Sequence, residues 1–296
     1  MVANRRIKHK FMAKFGIEFP IIWVAPINKK DYETPMKIGV MNNPAKSVYD
    51  EVAAFGTARF DFVDLTIEGP GARDVDAAKL RPLLESYGMS VTGHTDPCLP
   101  YAYPIQSIRD ACLQELERCA EIFSALGAGI MNIHPSYFCP PAMRNLIVDL
   151  NITALPPIVE MAASHGLTVV FENFKPPFDR VATFKKMLAE VPGLAVHLDF
   201  GHANLGQDNH EAFCRQLGNH IRHVHFSDNR SSDDHHMPLG VGNINWENAV
   251  KSLKATGYDS TITLEVFCDD AKMLYKYLDL SRRLVLELWS GTERGE

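Results

Sequence analysis

Histidines and carboxylates are concentrated in one short stretch of this sequence. Residues 223–246, H-V-H-F-S-D-N-R-S-S-D-D-H-H-M-P-L-G-V-G-N-I-N-W, contain four histidines and three aspartates. Imidazole and carboxylate groups are common ligands of divalent metals, and they are also common general acids and bases. The stretch therefore predicts a metal site, a site of proton transfer, or both.

The stretch starts in an apolar run that is typical of a buried strand, over residues 221–226. Because side chains alternate between the two faces of a strand, His223 and His225 share one face. Asp234 and His236 can aim at the same place from the following loop. A polar loop that uses one histidine to cap a turn explains an isolated pair equally well, so the ends of the other strands decide between the two interpretations.

The rest of the chain from residue 36 alternates predicted strands with predicted helices. Strands are predicted over residues 37–41, 61–68, 90–95, 130–134, 168–174, 194–200, 221–226 and 260–267. Helices are predicted over residues 45–55, 74–87, 105–126, 141–165, 182–190, 211–217, 246–256 and 270–289. This order indicates parallel strands joined by helical crossovers, in a chain of the size of a barrel, about 250 residues. We predict an α/β fold: a single (β/α)8 TIM barrel over residues 36–296, preceded by a short basic N-terminal extension, residues 1–35.

The ends of the predicted strands carry the same residue types as the opening stretch. In such barrels the catalytic groups lie at the carboxyl ends of the strands and in the loops after them. Glu172 and Glu265 each follow an apolar run, where a buried charge is costly unless it is paired or binds a metal. Asp199 can instead cap the next turn. The candidate residues, in chain order, are His94, His134, Glu172, Asp199, His202, His225, Asp234, His236 and Glu265.

Four of these residues, Glu172, Asp199, His225 and Glu265, offer three oxygen donors and one nitrogen donor. That set suits Mn²⁺, Mg²⁺ or Co²⁺. The other five are candidates for additional ligands, and their histidines would favour Zn²⁺ in a site with several ions. Two weaker signals concern substrate binding: the loop that contains Gly242 and Asn243 offers backbone N–H groups where barrels often bind phosphate, and Lys175 offers a cation. A plain turn explains the loop equally well, and an ordinary surface lysine explains Lys175 better than a substrate contact does.

Composition bounds the function only weakly. A net charge of −6 and a pI near 6.1 give no overall basic footprint, which makes a nucleic-acid partner less expected without excluding it. The six cysteines are scattered, as is typical of reduced thiols in a cytoplasmic protein. No apolar run approaches the roughly 20 residues of a membrane span, and no secretory signal is present. We expect no membrane partner, and a homo-oligomer is compatible with the sequence.

Five motifs resemble the xylose isomerase-like TIM barrel superfamily, which includes sugar and sugar-phosphate isomerases and epimerases as well as endonuclease IV. They are F-E-N at Glu172, L-D-F-G-H at Asp199, H-V-H-F-S-D-N at His225, D-D-H-H-M-P-L-G-V-G-N-I at Asp234, and L-E-V-F at Glu265. The resemblance covers residues 36–289. In the epimerase branch it implies one metal held by Glu172, Asp199, His225 and Glu265. It further implies that the two glutamates exchange protons with the substrate and that His202 contacts it.

The endonuclease IV branch implies a three-zinc cluster that uses all nine candidate residues. Against that branch, the sequence lacks long basic or aromatic insertions that would grip DNA. Against ketose 3-epimerases in the narrow sense, Phe178 stands where those enzymes have a further glutamate that contacts substrate. We favour a metal-dependent isomerase or epimerase of a sugar or sugar phosphate that works through a metal-stabilised enediolate, with His134 and His202 orienting a small carbohydrate. A zinc-dependent endonuclease acting at abasic sites is the alternative.

Overall fold

Eight parallel strands close into a barrel, as the sequence predicts. The computed structural model describes residues 36–71 and 74–291, so the predicted extension over residues 1–35 lies outside the described part. The strands pair in chain order, and the last strand pairs with the first. They are β1 Lys37–Met41, β2 Phe62–Ile67, β3 Ser90–Thr95, β4 Ile130–Ile133, β5 Thr168–Glu172, β6 Ala195–Asp199, β7 Ile221–Phe226 and β8 Thr261–Leu264.

At least one helix follows each strand, which gives the alternation that the sequence predicts. The α-helices are α1 Val48–Thr57, α2 Ala77–Tyr87, α3 Gln106–Ala125, α4 Ile147–Ser164, α5 Val181–Glu190, α6 Phe200–Leu205, α7 His210–Leu217, α8 Trp246–Lys254 and α9 Ala271–Ser290. Asp76 starts α2 by accepting a hydrogen bond from the backbone N–H of Ala78, and Gly88 ends it at φ 66°. Glycine adopts this left-handed conformation without steric cost, so the predicted stop at Gly88 is confirmed.

Two helical regions differ from the sequence prediction. The helix predicted over residues 141–165 begins as a 3-10 helix, Pro141–Leu146, before α4 continues it. The short helix α6 is not predicted from the sequence, because six residues are too few to show a helical period. It forms because the Asp199 side chain accepts a hydrogen bond from the backbone N–H of His202 and so caps the first turn.

One helical stretch, Pro141–Ser164, is long and apolar enough to cross a membrane by length and composition alone. This differs from the sequence-based expectation that no such stretch exists. In the structure α4 lies against β5, and its side chains Ile152, Leu155 and Ile158 are buried. Apolar core helices of soluble proteins share these properties, so the stretch is weak support for a membrane span.

The barrel interior contains a polar layer directly below the strand ends. Barrels of this kind usually fill their interior with bulky branched apolar residues. Alternation along the strands places His223 two residues before His225, and Thr263 two residues before Glu265, on the same inner face. The buried polar residues of this layer are Asp64, Thr92, Asn132, His197, His223 and Thr263. The predicted site therefore has hydrogen-bonding side chains beneath it.

Candidate active site

The nine candidate residues lie together at the carboxyl end of the barrel. Seven of them are at most 8% exposed: His94, His134, Glu172, Asp199, His202, His225 and Glu265. Asp234 and His236, in the loop after β7, have side chains that are 24% and 19% exposed. Hydrogen bonds, ion pairs and ring contacts join these side chains into one network. Their functional roles stay predictions.

Glu172 ends β5 and lies among side chains that can donate hydrogen bonds to it. Its Oε2 accepts a hydrogen bond from Asn132 Nδ2 at 2.7 Å and lies 3.0 Å from His134 Nε2 and 3.1 Å from His197 Nδ1. Its Oε1 lies 3.1 Å from His202 Nδ1. Burial acts to raise the pKa of Glu172, but His134 and His197 outweigh it and hold this pKa well below its usual value. The group is therefore a carboxylate at neutral pH.

Asp199 ends β6 and uses its two oxygens differently. Oδ1 accepts the hydrogen bond from the backbone N–H of His202 at 2.6 Å, while Oδ2 is buried without a hydrogen-bond partner. Burial raises the pKa of Asp199 to about 7, and the neighbouring carboxylates Glu265 and Glu172 add to the rise. A buried carboxylate oxygen without a donor fits a ligand position for a cation. Asp199 thus caps a turn and also offers a metal ligand.

His225 and Glu265 face each other across β7 and β8. His225 Nδ1 lies 3.2 Å from Glu265 Oε2 and 3.7 Å from Asp199 Oδ2. Burial opposes charge on His225, but Glu265 and Asp64 outweigh it and raise the pKa of His225 well above its usual value. Burial likewise acts to raise the pKa of Glu265, but His236 and His225 lower it to about 2. Both glutamates of the site are therefore ionised.

Several sets of these side chains have the spacing of metal ligands. Donor atoms of Glu172, Asp199 and His225 lie within 4.8 Å of one another, and Glu265 joins this set through its contact with His225. The set contains the donor types that Mn²⁺, Mg²⁺ and Co²⁺ accept. The other groups with the same spacing are His94, His134 and Glu172; Asp64, His94 and His225; and His197, His223 and His225.

The loop after β7 adds two more side chains, Asp234 and His236, to the site. Asp234 Oδ2 lies 3.0 Å from His202 Nε2 and 3.2 Å from His236 Nε2. His236 Nδ1 in turn lies 3.6 Å from Glu265 Oε2. Burial opposes charge on His236, but Glu265 and Asp234 raise its pKa to about 9. Asp234 and His236 therefore connect His202, which lies beside Glu172, with Glu265.

Four side chains of the network are not among the residues predicted from the sequence: Asp64, Asn132, His197 and His223. The alternation on β7 carries a usable signal for His223, because it lies on the same face as His225 and its ring centroid is 5.2 Å away. The same argument applies to His197, two residues before Asp199. Asp64 has no such signal, since its strand reads as an ordinary apolar run interrupted by one aspartate.

The other residues predicted to bind substrate, Lys175, Gly242 and Asn243, lie nearer the surface than His134 and His202. Lys175 is exposed, and its Nζ lies 5.0 Å from the centroid of the Phe174 ring. The Asn243 side chain accepts a hydrogen bond from Asn204 Nδ2 at 2.8 Å. Gly242 packs so closely that an added Cβ would lie 2.2 Å from Asp228 Oδ1. Contact of these residues with a substrate stays a prediction.

The glycine-rich loop after β7 encloses a carboxylate of the protein itself. Asp228 Oδ2 accepts hydrogen bonds from the backbone N–H of Gly240 at 2.8 Å and from Trp246 Nε1 at 2.9 Å. Its Oδ1 accepts from the backbone N–H groups of Asn229 at 2.9 Å and Ile244 at 3.2 Å. These N–H groups, which could have suggested a phosphate site, already have an internal anion as their partner.

We expect Asp228→Ala to lower the free energy of unfolding by about 4 kcal/mol, because it leaves buried donors without an acceptor. Urea unfolding followed by circular dichroism measures this change. The exposed Asp259 provides a control, and Asp259→Ala should shift stability by less than about 0.5 kcal/mol. Equal stability of the two variants would show that the carboxylate of Asp228 does not organise this loop.

The chain is similar in sequence to other proteins. An uncharacterized protein of Methanocaldococcus jannaschii is 34% identical over 174 residues, which are 54% of this chain and 56% of that protein. The alignment thus spans just over half the length of that relative. A ketose 3-epimerase of Arthrobacter globiformis is 24% identical over 252 residues, 80% of this chain and 82% of the enzyme.

The fold is also similar to that of solved structures. The crystal structure of a D-tagatose 3-epimerase-like protein superposes with a TM-score of 0.72 and 26% identity, and it covers 84% of this chain and all of that one, 100%. The profile of the xylose isomerase-like TIM barrel family matches residues 49–284, which include every candidate ligand. The chain therefore belongs to the xylose isomerase-like TIM barrel family.

Proposed function

We propose that the protein is a divalent-metal-dependent isomerase or epimerase of a sugar or sugar phosphate. The observation that carries this proposal is the convergence of two buried, ionised glutamates, Glu172 and Glu265, on the buried pair Asp199 and His225. Two carboxylates beside one metal position provide a base and an acid for the carbon next to a carbonyl. Similarity to a ketose 3-epimerase over most of both chains supports the same activity.

Four residues would hold the ion: Glu172, Asp199, His225 and Glu265. The orphaned Oδ2 of Asp199 and the mixed oxygen and nitrogen donors fit Mn²⁺, Mg²⁺ or Co²⁺. When bound, such an ion supplies Lewis acidity that polarises the substrate carbonyl and stabilises negative charge on its oxygen.

The protein side chains then divide the proton transfers between them. One of the two glutamates takes up the proton from the carbon between two substrate oxygens. The other is also ionised, so it first takes a proton from a protonated neighbour, such as His236 beside Glu265, or from solvent, and then returns it to that carbon or its neighbour. An epimerase needs the two glutamates to act on opposite faces of this carbon. His134 and His202, which lie 3.0 Å and 3.1 Å from Glu172 oxygens, orient the substrate oxygens beside the base.

Deuterium exchange tests the activity directly. The protein with Mn²⁺ is incubated in D₂O with a panel of ketoses and ketose phosphates, and the products are analysed by NMR. The proposal requires deuterium at the carbon next to the carbonyl together with formation of an epimer or aldose. Absence of both from every sugar in the panel would contradict it. The same panel shows whether a phosphate group is needed.

One observation favours a second function, hydrolysis of phosphodiesters at abasic sites in DNA. Donor atoms of His94, His134 and Glu172 form another set with metal-ligand spacing beside the first, and Asp234 and His236 extend the site further. Several zinc ions in such a site could generate a hydroxide and stabilise a leaving oxygen. Nicking of duplex DNA that contains an abasic site tests this alternative.

We expect metal affinity to rise with pH. His225, with its raised pKa, carries a proton at neutral pH in the metal-free protein, and Asp199, with a pKa of about 7, carries one in more acidic solution. An ion must displace these protons, so falling pH weakens binding. The Kd for Mn²⁺ should fall about tenfold per pH unit near about pH 8, where His225 alone loses a proton. Near about pH 6, where Asp199 loses one as well, it should fall more steeply, by up to about a hundredfold per unit.

Isothermal titration in two buffers of different ionisation enthalpy measures the protons released in this step. The outcome contrary to expectation is a Kd that stays constant over this range with no proton release. Two further expectations complete the proposal. A cytoplasmic location and assembly into a homo-oligomer both stay predictions.

A further inference from the structure

A buried carboxylate from β2 lies directly behind the proposed metal position. Asp64 is fully buried, with 0% exposure. Its Oδ2 lies 2.7 Å from His225 Nε2, 2.9 Å from His223 Nε2 and 2.8 Å from Thr263 Oγ1. An ionised carboxylate only accepts hydrogen bonds, so all of these groups donate to it. Of the four proposed ligands, His225 is therefore the one that Asp64 contacts, and the contact is on the side of the ring that faces away from the ion.

We propose that Asp64 is a positioning residue of the metal centre, which holds the His225 ring so that its Nδ1 atom faces the ion. This inference rests on the proposed function, because it needs an ion at Glu172, Asp199, His225 and Glu265. A neutral imidazole has one N–H group, and a hydrogen bond at one nitrogen fixes which nitrogen is free to bind metal. When the Nε2–H of His225 donates its hydrogen bond to Asp64, the Nδ1 lone pair faces Glu265 and Asp199.

The two nitrogens of His225 are not equivalent in the structure. The Nε2 contact with Asp64 is short, 2.7 Å, whereas Nδ1 lies 3.2 Å from Glu265 Oε2 and 3.7 Å from Asp199 Oδ2. The oxygens that surround Nδ1 are themselves proposed ligands, so an ion among them replaces the Nδ1 proton. The Nε2 proton has a dedicated acceptor outside the ligand set and stays in place.

The barrel holds Asp64 itself from two neighbouring strands. Thr263 lies two residues before Glu265 on β8, and His223 lies two residues before His225 on β7. Each of these strands therefore contributes one proposed ligand and, one layer below it, one donor to Asp64. His223 is fixed in turn by Thr261 Oγ1, which lies 2.7 Å from its Nδ1. This arrangement restrains the carboxylate and hence the ring that donates to it.

The test measures metal binding instead of turnover. Asp64→Asn keeps the shape of the side chain and removes its charge. We expect it to raise the Kd for Mn²⁺ about 10- to 100-fold. Thr92→Val is the matched control, because it removes a buried hydroxyl without a hydrogen-bond partner from the same layer. Its Kd should equal that of the wild type. If Asp64→Asn is folded and binds Mn²⁺ as the wild type does, the inference is wrong.

A second measurement decides the matter even when Asp64→Asn does not fold. In ¹⁵N-histidine-labelled wild-type protein loaded with Zn²⁺, the His225 ring should carry its proton on Nε2, and the signal is assigned by its loss in His225→Gln. A proton on Nδ1 would overturn the inference. If the wild-type protein binds no divalent ion at all, the proposed function fails; normal binding with an unchanged Asp64→Asn variant contradicts only the role of Asp64.

Discussion

Replacement of Glu265 by Gln should lower kcat for a responsive ketose by about 1,000-fold or more while the protein stays folded. The amide has the size of the carboxyl group but cannot accept the proton that the proposed reaction moves. Glu265 Oε2 lies 3.2 Å from His225 Nδ1 and 3.6 Å from His236 Nδ1, and an amide oxygen can still accept the hydrogen bond from His225. The barrel therefore keeps its contacts while the acid/base group is lost.

Steady-state kinetics and deuterium exchange measure the effect, with thermal unfolding as the check on folding. Glu265 is also a proposed ligand, so the Kd for Mn²⁺ is measured beside kcat, and turnover is assayed at saturating ion. Glu160, an exposed glutamate on α4, supplies the control: Glu160→Gln should turn over normally. A Glu265→Gln variant with near-normal kcat would remove this residue from the proposed chemistry.

The strand ends are predictable from the sequence because parallel strands in a closed barrel all finish at the same edge. β1, β3 and β7 have the predicted bounds, and each predicted ligand lies near its strand end, in the loop after it or, for His202, in the short helix α6. The alternation of side chains along β7 is enough to place His225 on the inner face. Periodicity and residue type thus identify the ring of candidate ligands.

The layer beneath the ligands is not predictable in the same way. The contact between Asp64 and His225 spans 161 positions in the chain, and it depends on how far β7 is shifted along the axis relative to β2. Local sequence carries no information on that shift. The loop after β7 poses a similar problem: its glycines indicate free N–H groups, but only the structure shows that Asp228 accepts a hydrogen bond from the backbone N–H of Gly240.

Phe178 gives the clearest limit on narrower assignments. The family resemblance implies a glutamate at this position in ketose 3-epimerases in the narrow sense, and here the Phe178 ring is fully buried against Phe171, with centroids 5.7 Å apart. A buried ring there cannot accept hydrogen bonds from a sugar. We therefore expect the substrate contacts of this protein to differ from those of such enzymes at this position.

Removal of divalent ions should abolish turnover, and one ion per chain should restore it. Without an ion, Glu172, Asp199 and Glu265 place three buried carboxyl groups around one point, and Asp199 Oδ2 lacks a donor. Dialysis against EDTA should lower activity to background, and Mn²⁺, Mg²⁺ or Co²⁺ should recover it. Saturating ion should also raise Tm, because a ligand that binds only the folded state stabilises it.

The number of ions separates the two candidate functions. Within residues 36–71 and 74–291, no set of three donors with metal-ligand spacing includes His202, Asp234 or His236. These three side chains instead contact one another, with His202 and His236 both bound to Asp234 Oδ2. We therefore expect elemental analysis of the purified protein to give one ion per chain. Three zinc ions per chain, together with nicking of abasic duplex DNA, would replace the sugar isomerase with the phosphodiesterase.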